Sequence, residues 1–551
     1  MHRLLLFVFV FIIPGLALAQ SDIPSERPVK CMTPYLLHYE QDASSVPPAI
    51  RKKLQNRMVE ADEPSYQYYS ESGKFIIDYY LSGNHAVPSA DETGTGIPDY
   101  VEWAAEYADY SYRVQVEELG FIDPTKHQGR ECGNRVGNWT ERPITVYLRN
   151  LGNVYGEFRG SEPFAFYVHH TFQDFPPNED PEGQIKGALK VTVAHELKHV
   201  IQYASSCFNG EAGSTHWIEM DATMMENIVY PEVNDYYNYI TGTFGIFGNP
   251  ARSTPVAYDH VTWMLYYAEY IGMDFWVDTW DVIHQNQQIR MDHAMNRIFD
   301  ERHGGNPQSY FTKHKTRNYL WHAVSGNRTA PGYGFSESTA YPNARFAKKF
   351  DRIPEGTQEN IRLDQMSASF YRFIPDIGQI GNLRLVANHT NDNVGFGVLA
   401  YKNDNTVEEW LPESPPGGVT TGESPFSMEE TDSLIIVVVN AMRFSSTEID
   451  FALEVLTIPE QIALMQNYPN PFGSTGVGSG TNFRFSTPRE EHIEITVYDV
   501  VGRRVATVYD ELTQPGMYDV PFNAAGLSSG VYLYRLRAPG VHKTGKMTLI
   551  H

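Results

Sequence analysis

Two hydrophobic periods divide this chain. Up to about residue 350, most apolar positions recur at helical spacing; past Asp351 they alternate with polar ones, as in strands. The clearest helical stretch is Val191 to Gln202, where Val191, Val193, Ala194, Leu197, Val200 and Ile201 predict a buried helix. Further helices are predicted over Tyr100 to Leu119, around His216 to Glu226, over Tyr258 to Ile271, and from Phe275 to about Ile298. Short β-rich runs at Lys74 to Leu81, Pro143 to Leu148 and Phe164 to Val168 predict strands before the buried helix. An acidic, proline-bearing loop from Asp174 to Glu182 separates the last of these from it. Later, Leu383 to Ala387, Phe396 to Tyr401 and Leu434 to Val439 alternate as sandwich strands do. A linker near Ile458 precedes a last run, with strands at Ile493 to Tyr498, Gly530 to Leu536 and Lys543 to Ile550. The pattern predicts an α+β domain over 86–350, a β-sandwich over 355–457 and a second β-sandwich over 464–551. Residues 20–85 read as the first layer of the α+β domain, or as a propeptide. They include Pro47-Pro48 and a basic helical patch, Arg51 to Met58.

Length supports the division, since 551 residues exceed what one core serves. The formal charge of −24 argues against nucleic acid or an anionic membrane as partner. Residues 1–19 read as a secretory signal: Arg3, an apolar run from Leu4 to Ile13, a break at Pro14-Gly15, and Ala17-Leu-Ala19 before Gln20. No later run approaches transmembrane length, so stable membrane insertion is not expected. The expected location is extracellular or on the cell surface, reached through the periplasm. Of Cys31, Cys132 and Cys207, two are expected to pair in an oxidising compartment; which two is open.

The buried helix carries His195-Glu196-Leu-Lys-His199. Histidines four apart lie on one helical face and can hold one Zn²⁺, and Glu196 is then placed to act as general base toward water. A third histidine ligand at 205 is excluded, because Gln202 and Ser205 stand where that pattern needs Gly and His. A glutamate from the next helix is the other common solution, and Glu219 is the candidate; His216 is a rival. Tyr258 and His260 are candidates for stabilising an oxyanion, and Asp221 and Glu226 for orienting the imidazoles. Separately, Asp91 to Glu102 follows the twelve-residue calcium-loop register. Oxygen donors fall at Asp91, Thr93, Thr95, Ile97 (by its carbonyl), Asp99 and Glu102, with Gly96 at the sharp turn. A structural Ca²⁺ is expected there.

On these residues the chain resembles the gluzincin metallopeptidases, in which H-E-x-x-H is followed about twenty residues later by a glutamate ligand. Trp217-Ile-Glu219-Met-Asp-Ala222 is similar to their second-helix motif, with Met220 in place of the usual small residue. Gly94 to Glu102 and Ala194 to Gln202 resemble stretches of a group of secreted bacterial metallopeptidases. Residues 464–551 resemble the Ig-like C-terminal sorting domain of type IX secretion, through Asn467-Tyr-Pro-Asn-Pro-Phe472, Tyr498-Asp-Val-Val-Gly-Arg503 and Gly530-Val-Tyr-Leu-Tyr-Arg-Leu536. The resemblance implies a zincin-like metallopeptidase domain and a secreted zinc endopeptidase with protein or peptide substrates. His195, His199 and Glu219 would bind zinc, and the type IX machinery would be a partner. Two other readings stand beside it: a surface adhesion protein with a non-catalytic zincin-like scaffold, and a metal-dependent hydrolase of non-peptide substrates.

Overall fold

A computed structural model describes residues 28–41, 64–126, 142–208, 215–240, 243, 245–253, 258–304, 307–328, 330–350, 357–375, 381–389, 391, 393–414, 418–456, 459, 461–473 and 480–550. The signal segment and the Arg51–Met58 patch lie outside them. Two compact units divide the chain: Met1–Ile240 with Val256–Ile298, and Thr241–Pro255 with Phe299–His551.

The first unit is built on a six-stranded sheet. Its strands are β1 (Val29–Cys31), β2 (Tyr66–Tyr69), β3 (Phe75–Tyr79), β4 (Ile144–Arg149), β5 (Val154–Phe158) and β6 (Ala165–His169), in the order β1-β5-β6-β4-β3-β2. Pairing is parallel for β1/β5, β3/β4 and β4/β6, and antiparallel for β5/β6 and β2/β3. The strands predicted near 75, 144 and 165 are present. β1 and β5 escaped the sequence reading, because β1 is three residues long and β5 reads Val-Tyr-Gly-Glu-Phe, without alternation. Both ends of the 20–85 segment contribute strands to this sheet.

After β1 comes α1 (Thr33–Gln41). Helix α2 (Asp99–Tyr112) packs on β3, and α3 (Gln184–Ser206) packs on β5 and β6. Every residue of α3 from Gly187 to Ser206 is buried, so this helix is core rather than surface. Gly187 permits that burial, because a Cβ there would come within 2.3 Å of Asn178 Oδ1 in the preceding loop. Helix α4 (Thr215–Val229) packs against α3. The single long helix predicted from Phe275 is in fact two, Met273–Gln285 and Met291–His303. The chain leaves helical geometry at Asn286, whose φ of −140° ends the first.

The second unit is rich in strands. Four strands (419–427, 382–389, 447–456, 357–363) and five strands (407–410, 394–402, 431–440, 367–373, 348–350) form two sheets. They enclose one apolar cluster that includes Leu385, Val398, Ile436 and Phe451. The helix Pro307–Ala323 packs on strands 394–402 and 431–440, so the helical material predicted for 86–350 is shared between the two units. Gly395 and Gly397 make room for it: a Cβ at either would press on Thr316 or Leu320. A three-stranded and a five-stranded sheet from residues 463–550 enclose a separate cluster around Phe483, Val497, Tyr534 and Leu536. The chain is thus an α/β region followed by a many-stranded β region, and no zincin fold is identified as such. No described helix is long and apolar enough to cross a membrane.

Candidate metal centre

Helix α3 projects His195 and His199 from one face, and α4 brings Glu219 against them. The two Nε2 atoms are 3.1 Å apart, and Glu219 lies 3.4 Å from His195 Nε2 and 3.2 Å from His199 Nε2. A fourth donor, unforeseen in the sequence, comes from β1: Cys31 Sγ is 3.4 Å from His199 Nε2. Ligand bonds of about 2.0–2.3 Å around a tetrahedron put donor atoms roughly 3–4 Å from one another, which is the spacing found here. All four donors lie within 4.8 Å of each other, and each residue is no more than 1% exposed.

The outer nitrogens are fixed by acceptors. His195 Nδ1 donates to Glu226 Oε1 at 2.7 Å, and His199 Nδ1 donates to Gln202 Oε1 at 2.9 Å. Each ring therefore turns its Nε2 toward the common point, as metal-binding histidines do. Gln202 is held in turn, donating to Ile218 O at 3.0 Å and Asp221 Oδ2 at 2.8 Å, while Trp276 Nε1 donates to the other Asp221 oxygen. Glu226 is also paired with Lys30 Nζ at 2.7 Å, and Lys30 pairs with Asp235. Lys30 adjoins Cys31, so the shell around His195 and the fourth donor arrive on one strand.

The electrostatics call for a cation. Burial alone would drive the His195 imidazolium toward neutrality, yet Glu219, Glu226 and Glu196 hold its pKa at about 10. Burial would raise the Glu219 carboxyl, but His199 and His195 hold it down at about 2. Burial raises Glu196 to about 7 against the pull of His195 and His199. Neither Glu196 oxygen has a hydrogen-bond partner. Gly156 of β5 lies over this carboxylate, since a Cβ there would come within 2.5 Å of Glu196 Oε1. The donor set suits a divalent, borderline-soft ion such as Zn²⁺.

His195, Glu196, His199 and Glu219 are thus brought together as the spacing predicted. Tyr258 is nearby: burial raises its hydroxyl pKa, helped by Asp259, Tyr35 and Glu219, and its ring meets Tyr239 edge-on at 5.2 Å. His260 is buried with Nδ1 2.9 Å from Asp259 Oδ1. The His216 side chain lies outside the described residues. Of the two expected supports, Glu226 touches a ligand directly and Asp221 acts through Gln202. Cys207 is disulfide-bonded, which leaves Cys31 as a free, buried thiol. The sequence offers no metal-site signal for Cys31 or Lys30, and Gln202 enters it only as the end of the Ala194 to Gln202 motif and as the residue that excludes a third histidine.

In the 91–102 loop, Asp91, Thr93, Thr95 and Glu102 converge. Thr93 and Thr95 hydroxyls donate to Glu102 at 2.9 and 2.7 Å, and Thr93 donates to Asp91 at 3.3 Å. Asp99 faces elsewhere, accepting from the Glu92 amide at 3.0 and 3.1 Å as it starts α2. No contact of the Ile97 carbonyl distinguishes it.

No family model and no curated protein matches the chain. Among solved structures, it is similar to PorZ, a surface component of the type IX secretion system of Porphyromonas gingivalis, at 16% identity over 18% of this chain and 14% of PorZ (TM-score 0.13). It is similar to a β-1,2-glucanase from Parabacteroides distasonis at 9% identity over 35% of this chain and 32% of that one (TM-score 0.16). A β-glucuronidase from Bacteroides uniformis matches at 12% identity over 34% and 27% (TM-score 0.14). The chain therefore spans no more than a third of these relatives. The hydrolases among them are glycoside hydrolases, and this corrects the enzyme class expected from the sequence: zinc metallopeptidase is withdrawn. Likeness at these TM-scores does not extend the neighbours' folds or substrates to this chain.

Glu226 fixes the His195 ring, so Glu226→Gln is expected to weaken Zn²⁺ affinity roughly 10–100-fold, measured by competition with a chromophoric chelator. Unchanged affinity would show that the contact does not orient the ligand.

Proposed function

We propose that the first unit is a metal-dependent hydrolase centre of zincin-like arrangement, with His195, His199 and Glu219 as ligands and Glu196 as general base. The convergence of these donors beside a buried carboxylate with no hydrogen-bond partner carries the reading. A divalent ion held there supplies Lewis acidity toward water and toward a polarised substrate oxygen. Glu196, one residue round the helix from His195, takes the proton from water at its carboxylate and returns it to the leaving group. Glu226 and Gln202 keep both imidazoles in the tautomer that faces the ion.

The comparison that tests this is made in a Cys31→Ala background, which removes the thiol from the donor cluster. The parent is expected to bind about one Zn²⁺ per chain, to lose it on Glu219→Ala, and to keep it on Glu196→Gln. Against a panel of peptide, ester and glycoside substrates, Glu196→Gln should cut turnover roughly 10²–10⁴-fold. Equal turnover by the two forms would refute the assignment of Glu196.

The convergent oxygens of Asp91, Thr93, Thr95 and Glu102 favour a structural Ca²⁺ in the loop before α2. Calcium should raise the thermal midpoint of the parent protein and leave that of Asp91→Ala unmoved; an identical response from both would remove the site. The motifs of residues 464–551 support export by the type IX machinery to the cell surface or beyond. Deleting that segment should leave the protein in the periplasmic fraction, and unchanged release would refute the assignment.

A further inference from the structure

We propose that Cys31 closes the metal centre, so that the chain with β1 in place is a latent form, and that β1 with α1 must be displaced before water can reach the ion. This rests on the hydrolase reading above. Three neutral or anionic donors leave a tetrahedral ion one open position, which a catalytic site keeps for water; a fourth protein donor makes a closed site. Cys31 Sγ occupies the place water would need. It lies 3.4 Å from His199 Nε2 and donates to Thr33 Oγ1 at 3.0 Å, while neither oxygen of the buried Glu196 carboxylate has a hydrogen-bond partner. A permanently closed, structural site would give Glu196 no role, and burying a carboxylate with no hydrogen-bond partner is costly.

The strand is built to hold that sulfur there. β1 lies along the edge of β5, pairing Val29 with Val154 and Cys31 with Gly156, the glycine that covers Glu196. The Thr33 amide donates to Sγ at 3.3 Å, and Thr33 Oγ1 accepts from the Phe158 amide at 2.8 Å, which ties the turn after Cys31 to the far end of β5. Lys30 is the latch. It is 2% exposed and paired with Glu226 and Asp235, so withdrawing β1 breaks two buried ion pairs at once. Glu226 meets His195 Nδ1 through one oxygen and Lys30 through the other, so the strand and the ligand are held by different atoms of one carboxylate.

The full chain loaded with Co²⁺ tests this without a substrate. The parent should show an intense thiolate-to-cobalt charge-transfer band in the near ultraviolet, and a visible spectrum that ignores added acetohydroxamate. Cys31→Ala should still bind about one Co²⁺ per chain, lose the band completely, and shift its visible spectrum when acetohydroxamate enters the freed position. Cys31→Ser serves if the alanine variant folds poorly, since a hydroxyl keeps the contact with Thr33 without giving a thiolate band. A parent that binds Co²⁺ through His195 but shows no band, or already responds to acetohydroxamate, overturns the latch and leaves the metal reading intact. Co²⁺ uptake that is absent, or is unchanged by His195→Ala, overturns both.

Discussion

Charge buried around a single point is the constraint on which the first unit depends. Glu196, Glu219, Glu226 and Asp235 are all within 1% of full burial. Carboxylates taken out of water need a countercharge at close range. Lys30 answers Glu226 and Asp235; His195 and His199 answer Glu219, and a divalent ion at their focus would answer it more fully. Removing one partner of such a buried pair costs roughly 3–5 kcal/mol. The elements that carry the network, β1, α3, α4 and the turn at Asp235, are therefore held in mutual register by charge as well as by apolar packing.

Packing sets the stage for that network. Because α3 is buried for nearly six turns against β5, β6, α2 and α4, its histidines cannot reorient without moving the core. Small residues decide how close the pieces come. Gly187 seats the start of α3 under the 174–182 loop, and Gly156 lets β5 pass over Glu196. Gly156 is also where β1 pairs, so one glycine serves both the close approach to Glu196 and the docking of the strand beside it. Under the proposed reading, rigidity of the donors and access to an ion are separated: α3 and α4 would provide the first, and a three-residue edge strand would control the second.

The sulfur donor also changes the meaning of the short motif. Two histidines and a glutamate describe an open site, whereas the addition of Cys31 describes a closed one. The chemistry legible in His195-Glu196-x-x-His199 is thus conditional on the position of a segment about 165 residues away. The glycoside hydrolases among the structural neighbours lend no substrate to this site, and its bond specificity belongs to the surfaces around the ion rather than to the donors themselves.

What the sequence by itself determined follows from short-range periodicity. A helix puts residues four apart on one face, so the convergence of His195 and His199 beside Glu196 was legible, as were the helix that brings Glu219 and the sandwich strands. Irregular or very short elements were not, since β1 and β5 have no period to read and the helix break at Asn286 is a local backbone event. Only the tertiary structure decided the company these residues keep. Cys31 and Lys30 sit on a strand too short to predict, 168 and 196 positions before His199 and Glu226. Their placement depends on pairing with the edge of β5 and on compensation of buried carboxylates. Both are long-range terms that no local pattern encodes.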